Sequence, residues 1–237
     1  MLPATLAAMH EAARALSEPY EIVVADDAST DGTAAVAAAH GARVVSVSHR
    51  QIAATRNAGA RAALGEHLIF VDADTWVNST VVAATLSALR AGAVGGGAAI
   101  AFDGDVPRYA RLLQPLMAAY FRLARWAAGC YVFCTREAFE TVGGFDEAYF
   151  GAEEIVMSRA LKRHGRFVVL RERVVTSGRK LRTHTPRELL STVWRLARRG
   201  PKGVQKREGM ELWYAERRED PLREDSSNGS AQRTKRP

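Results

Sequence analysis

The chain has 237 residues, 47% of them hydrophobic, and a formal net charge of +7 with a sequence pI near 9.8. A chain of this size can bury one sizeable core without disulfides or structural metal, and its basic balance points to an anionic partner: nucleotide phosphate, anionic lipid or nucleic acid. Two cysteines, Cys130 and Cys134, are too few for a disulfide framework and read as free thiols of a reducing compartment. No run reaches about 18 apolar residues and no basic-then-apolar leader opens the chain, so the expected location is cytoplasmic.

In chain order, Leu6, Met9, Ala13 and Leu16 space as one face of a helix over 4–17. Glu21–Ala25 predicts a strand, and Asp26 to Thr33 a turn rich in capping residues. A helix over 33–40, a strand over 42–47, a helix over 51–64 and a strand over 67–72 follow. A helix over 79–91 stops at Gly92, and a glycine-led strand covers 94–102. This alternation predicts an α/β fold, with a mainly parallel sheet covered by helices on both faces.

The second half is less regular. A long helix over 109–127 carries Leu113, Leu116, Met117, Tyr120 and Ala124 on one stripe. A short strand over 131–134, a helix over 136–142, a turn at 142–147, a helix over 153–164 and a strand over 167–170 come next. A helix over 186–199 puts Leu189, Leu190, Val193, Trp194 and Ala197 on one face and arginines elsewhere. One domain is expected over 1–215, and a polar, disordered tail over 216–237.

Asp72-Ala73-Asp74 ends the apolar run Leu68–Val71. Two carboxylates at the tip of a buried strand are costly to desolvate unless a cation joins them. Mg2+ or Mn2+ on a phosphorylated substrate fits, because such ions take one or two carboxylates plus phosphate oxygens. A solvated turn is the alternative. Asp26-Asp27 lies at a strand's C-terminal edge, where a base or ribose can be met, though such a turn also reads as ordinary helix capping. Arg56 could reach a diphosphate, or Arg56-Asn57 could be a solvated helix face.

Glu153-Glu154 begins a helix, where carboxylates complement the dipole. In the sharper reading one of them is a general base raised in pKa by its neighbour. Arg179 and Lys180, in the basic segment 176–184, could neutralise a leaving diphosphate. His184 is a candidate further metal ligand, set against an ordinary structural or solvated histidine.

Taken together, these motifs resemble the family 2 glycosyltransferases of the GT-A fold, a Rossmann-like architecture. EIVVADDASTDGT resembles their nucleotide-contacting strand and turn, and ATRNAGARAALGEHLIFVDADT their Arg-Asn helix and D-x-D. VGGFDE resembles their acceptor-side turn, and AEEIVMSRALKRHG the helix that opens on the catalytic acids. The resemblance covers residues 1 to about 180. It implies sugar transfer from a nucleotide-diphosphate donor to a hydroxyl acceptor, metal-assisted and inverting. By position, Asp27 with Asp26 beside it would contact the base and Arg56 would lie near the nucleotide. Asp72 and Asp74 would hold Mg2+ or Mn2+ on the phosphates, and Glu154 with its partner Glu153 would serve as base.

Two departures stand out. The family's Glu-Asp pair and later aspartate are here Glu153-Glu154 and Val156. The family's first apolar strand and its loop have no counterpart before the first helix, which makes truncation the expectation. These departures support an alternative, a non-catalytic homologue that holds a nucleotide sugar. Arg195, Arg198, Arg199, Lys202, Lys206 and Arg207 raise a further option, peripheral contact with anionic lipid and hence a lipid-linked acceptor. No nucleic-acid-binding motif accompanies them, so nucleic acid is not expected as a partner. A nucleotidyltransferase would also share the core, but no glycine-rich phosphate loop is seen near the N-terminus.

Overall fold

A computed structural model of the chain describes residues 1–214 and 218–220. Its elements are α1 (Leu2–Arg14), β1 (Val23–Asp27), α2 (Thr33–Ala39), β2 (Arg43–Val47), α3 (Ile52–Ala62), β3 (His67–Val71), β4 (Thr75–Trp76) and α4 (Ser79–Arg90). They continue as β5 (Ala93–Phe102), α5 (Arg108–Ala124), β6 (Tyr131–Thr135), α6 (Arg136–Val142), α7 (Glu153–His164) and β7 (Arg166–Thr176). α8 (Arg179–Thr183), α9 (Pro186–Gly203) and α10 (Glu211–Tyr214) complete the set.

The strands form two sheets. β1 and β2 pair in parallel, and the larger sheet has the order β3-β6-β5-β7-β4. Within it β5 and β7 are parallel, while β6 runs antiparallel to both β3 and β5, so β3, β5 and β7 share one direction. β6 shows how helices come to cover both faces. Tyr131 and Phe133 point into one core, with Val81 and Leu89 of α4, and Val132 and Cys134 into the other, with Met157 and Leu161 of α7. A Cβ at Gly96 of β5 would meet the Val168 carbonyl at 2.3 Å and the Phe133 ring at 2.4 Å, so glycine there lets the aromatic lie flat against the strand. Cys130 and Cys134 are buried free thiols, and burial pushes both up to about 12.

Several boundaries differ from the sequence expectation. β1 begins two residues later than predicted and keeps Asp26 and Asp27 inside the strand, because they pair with Ser46 and Val47 of β2. β7 extends well past Leu170, since β5 and then β4 supply partners along its length. The basic segment expected as a loop contains the short helix α8. The stripe on α5 faces outward: Leu113, Leu116, Met117 and Tyr120 are all exposed. On α9, Leu190 and Trp194 are likewise exposed, and the side chains of Val193, Arg195, Ala197, Arg199 and Lys202 lie outside the described residues. Most of the expected polar tail also lies outside them. Asp220 is described, buried and ion-paired to Arg182 at 2.6 Å.

Among the described residues the two sheets do not join. The free edges of β1 and β3 face a common cleft of about 2480 Å3, with Val23, Val24, Ala25, Ile69, Phe70 and Val71 on its walls. These six are only partly buried, although central strands of an α/β sheet are normally covered throughout. α1 and α3 line the same cleft. Leu6 of α1 packs with the β1–β2 core, Ala12 of α1 with the α4 side of the larger sheet, and Ala60 of α3 with its α7 side. The Thr5 hydroxyl donates to the Ala73 carbonyl at 3.0 Å, placing the start of α1 beside the C-terminal end of β3. A strand parallel to β1 and β3 would leave the gap at that end. Extending the chain before Met1 with a short loop and a five-residue Val/Ile-rich segment should therefore add about 2 kcal/mol and raise Tm by about 5 °C in calorimetry. An unchanged Tm would show that the gap does not accept a strand.

Candidate active site

The DAD turn is fixed from three sides. Asp72 N–H donates to the Cys130 carbonyl at 3.2 Å. Thr75 and Thr176 share a buried hydroxyl hydrogen bond of 2.8 Å, and Ser177 N–H donates to the Asp74 carbonyl at 3.1 Å. With Thr5 on Ala73, this aligns α1, β3 and the end of β7 around two carboxylates.

Arg56 sits at the centre of the site. Its Nη2 donates to Asp72 Oδ1 at 2.8 Å and to the Gly129 carbonyl at 2.7 Å, and its Nη1 donates to Glu153 Oε1 at 2.9 Å. The guanidinium also lies 5.4 Å over the Phe145 ring. Its side chain is 12% exposed and that of Glu153 6%, whereas Asp72 keeps 43% toward the cleft. Burial opposes the Arg56 charge, but Asp72 and Glu153 outweigh it and hold the group above its ordinary pKa. Arg56-Asn57 is therefore not a solvated helix face. Asn57 is buried and exchanges two hydrogen bonds with the Phe145 backbone at 2.8 and 2.9 Å, so the pair of residues locks VGGFDE to α3. Gly144, at φ 78°, lets that turn approach: a Cβ there would meet Asn57 Oδ1 at 2.7 Å.

Glu153 and Glu154 form the first turn of α7, after Ala152 at φ 59°, a left-handed conformation costly for alanine. Gly129 faces Glu154 closely, a Cβ there coming 3.4 Å from its Cδ. Enclosure, and then the negative charge of Glu153, push the Glu154 carboxyl up to about 7, against the pull of Arg56. Ser158 receives the Ala127 N–H at 3.0 Å and donates to the Glu154 carbonyl at 2.7 Å, tying the 127–129 segment to α7.

The remaining expected residues separate into groups. Asp26, Asp27, Arg179, Lys180 and His184 all line the cleft. Asp27 accepts from the Arg50 and Gln51 backbones at 2.8 and 3.0 Å and from the Thr55 hydroxyl at 2.8 Å, so it also ties β1 to the start of α3. Burial raises its pKa, but these donors together lower it. Lys180 Nζ lies 5.3 Å over the Trp213 ring. His184 Nδ1 is engaged by Thr183 and the Lys180 carbonyl at 3.0 and 3.2 Å. Among the described residues no three of His, Cys, Asp and Glu converge as a ready-made metal cluster, so His184 is not brought to Asp72 and Asp74 as a third ligand. Those two carboxylates, on an exposed turn over the cleft, are a donor set of the hard-oxygen type that Mg2+ or Mn2+ takes together with phosphate. Sequence reasoning missed Gly129 and Phe145 as partners of Arg56. Gly129 carried no signal, whereas Phe145 lay in a motif already singled out.

Replacing Arg56 by methionine leaves Glu153 buried without its cation. Arg56→Met should cost about 3 kcal/mol in urea denaturation, mostly through Glu153 because Asp72 can turn to water. A cost below about 0.5 kcal/mol would show the bridge to be incidental.

The sequence model of Glycosyl transferase family 2 matches residues 2–145. No curated protein matches the chain. Among solved structures, the Pyrobaculum calidifontis mannosyltransferase PcManGT in complex with GDP-Man and Mn2+ is 20% identical, with 100% of this chain and 78% of that one covered at a TM-score of 0.59. S. aureus TarS 1–349 in complex with UDP is 18% identical at a TM-score of 0.58, covering 74% of this chain. The chain spans 56% of that TarS structure. Mycobacterium tuberculosis glucosyl-3-phosphoglycerate synthase, with Mn2+, UDP and glucosyl-3-phosphoglycerate, is 19% identical at a TM-score of 0.52, with 81% and 71% covered. These likenesses identify the Rossmann-like GT-A fold. With the family match extending over more than half its length, the chain belongs to glycosyl transferase family 2.

Proposed function

We propose that the chain transfers a sugar from a nucleotide-diphosphate sugar to an acceptor hydroxyl, with inversion at the anomeric carbon. One observation carries this: the Arg56 guanidinium joins Asp72 of the DAD turn to Glu153 of the acidic pair, with Glu154 raised beside them. A donor-phosphate site and a proton-accepting site thus share one cleft. Solved structures of this fold holding Mn2+ with GDP-Man, or Mn2+ with UDP and glucosyl-3-phosphoglycerate, support the nucleotide-sugar and metal parts of the reading.

Asp26 and Asp27 line the cleft wall where the base and ribose would lie. Asp72 and Asp74 would hold Mg2+ or Mn2+ with the donor phosphates, and the ion would supply Lewis-acid neutralisation of the diphosphate. Arg179 and Lys180 add positive charge on the same cleft. The acceptor oxygen attacks the anomeric carbon as the bond to the diphosphate breaks. The nucleoside diphosphate leaves with the electron pair, and the acceptor proton passes to the Glu154 carboxylate. Glu153, committed to Arg56, positions the pair. Buried free thiols agree with a cytoplasmic setting. No helix among the described residues is long and apolar enough to cross a membrane.

The open edges of β1 and β3 favour a second reading, a homologue that binds a nucleotide sugar without turnover. Binding with no product, persisting after the gap is filled by an added strand, would select it.

The test is nucleoside diphosphate release from a panel of nucleotide sugars with Mn2+, using water or added acceptor. Asp74→Ala and Glu154→Gln should each lower the rate by about a hundredfold or more; rates equal to the parent would remove the assignments. Because Glu154 must be deprotonated to act and its carboxyl is pushed up to about 7, kcat/KM should climb with pH and level off above that value. A profile already flat at about pH 5.5 would contradict its role as base.

A further inference from the structure

We propose that α5 is a docking face for an anionic lipid surface. Of its 17 residues only Ala110 is buried. Leu112, Leu113, Leu116, Met117, Tyr120 and Leu123 are 75, 49, 67, 52, 52 and 86% exposed. At roughly 100° per residue they fill one continuous arc of about 140°. The flank next to Met117 attaches to the body through Ala110 and through Gln114, whose amide donates to the Ile100 carbonyl at 2.8 Å. Soluble surfaces rarely leave six large apolar side chains contiguous without an occupant.

The charges identify that occupant. Arg108, Arg111, Arg122 and Arg125 are exposed, and residues 108–126 contain no acid. Arg108 lies beside the Leu112 edge of the apolar arc, and Arg122 and Arg111 follow it onto the far side of the helix, where a helix lying in a membrane interface carries its cations. Arg111 makes a long, exposed contact with Asp105 at 3.4 Å. A second copy laid α5 against α5 would bring like charges together, whereas anionic headgroups neutralise them. The C-terminal end of α5 leads through 125–128 to Gly129, which holds Arg56 and abuts Glu154. A lipid surface on α5 would therefore present a membrane-borne acceptor beside the proposed base, a consequence that rests on the transferase reading.

The test is co-sedimentation of the full chain with vesicles of phosphatidylcholine alone or with about a third phosphatidylglycerol, which needs no turnover and so fails or succeeds independently of catalysis. We expect binding to the anionic vesicles at least tenfold tighter than to the neutral ones, weakened several-fold by high salt. Leu116→Asp with Leu123→Asp should lower it at least tenfold while leaving the circular dichroism spectrum and Tm unchanged, and Arg108→Gln with Arg122→Gln should bring it toward the neutral-vesicle level. No anionic binding, equal binding to both vesicles, or an unaffected double-aspartate variant would overturn the proposal. So would loss through Trp194→Asp alone, or a concentration-dependent dimer that Leu116→Asp dissolves in a chain that ignores vesicles.

Discussion

A single buried cation organises this protein. Arg56 reaches from α3 to Asp72 at the tip of β3, Glu153 at the start of α7 and the Gly129 carbonyl before β6. Removing one member of such a network exposes the desolvation cost of the others. The arrangement thus sets the register of four segments far apart in sequence. It also divides the carboxylates by task. Glu153 is committed to the guanidinium, Asp72 keeps a face to the cleft, and Glu154 is left enclosed beside a like charge and pushed toward neutral pH.

This site stands next to the cleft between the two sheets. β1 and β2 do not pair with the larger sheet among the described residues; helices bridge the gap, with α1 lying against both cores, and Glu21 accepts from the Leu64 and Gly65 backbones ahead of β3. The DAD turn does not depend on that gap for its shape, because Thr5, Cys130 and Ser177 hold it from outside β1. The cleft wall that carries Asp26 and Asp27 does depend on it, since both belong to β1 and follow the smaller sheet. The two sides of the cleft are therefore held by different parts of the scaffold: the DAD turn and the acidic pair through Arg56, and Asp26 and Asp27 through the smaller sheet.

Much of the architecture was legible because its signals are local. α4 forms where a helix over 79–91 is expected, and Gly92, at φ 83°, follows its end as turn chemistry predicts. The DAD turn was legible from an apolar run broken by paired carboxylates. What stayed hidden depends on pairing across distance. β7 runs beyond its apolar core because β5 and β4 supply partners, and Asp27 leaves the expected turn because β2 continues the ladder and the 50–51 backbone donates to its carboxylate. Arg56-Asn57 read as a possible solvated face because nothing local marks Gly129 or Phe145 as partners. The apolar stripe of α5 was visible, but a stripe states that something covers it, not that the protein does.

Calorimetric titration of UDP and GDP into the protein, with and without Mn2+, tests the central claim most directly, because it reads the joined metal and nucleotide site without requiring the acceptor. The account predicts binding of a nucleoside diphosphate that weakens at least tenfold when Mn2+ is withheld. Equal binding with and without the ion, or no binding of either nucleotide under saturating Mn2+, would contradict it.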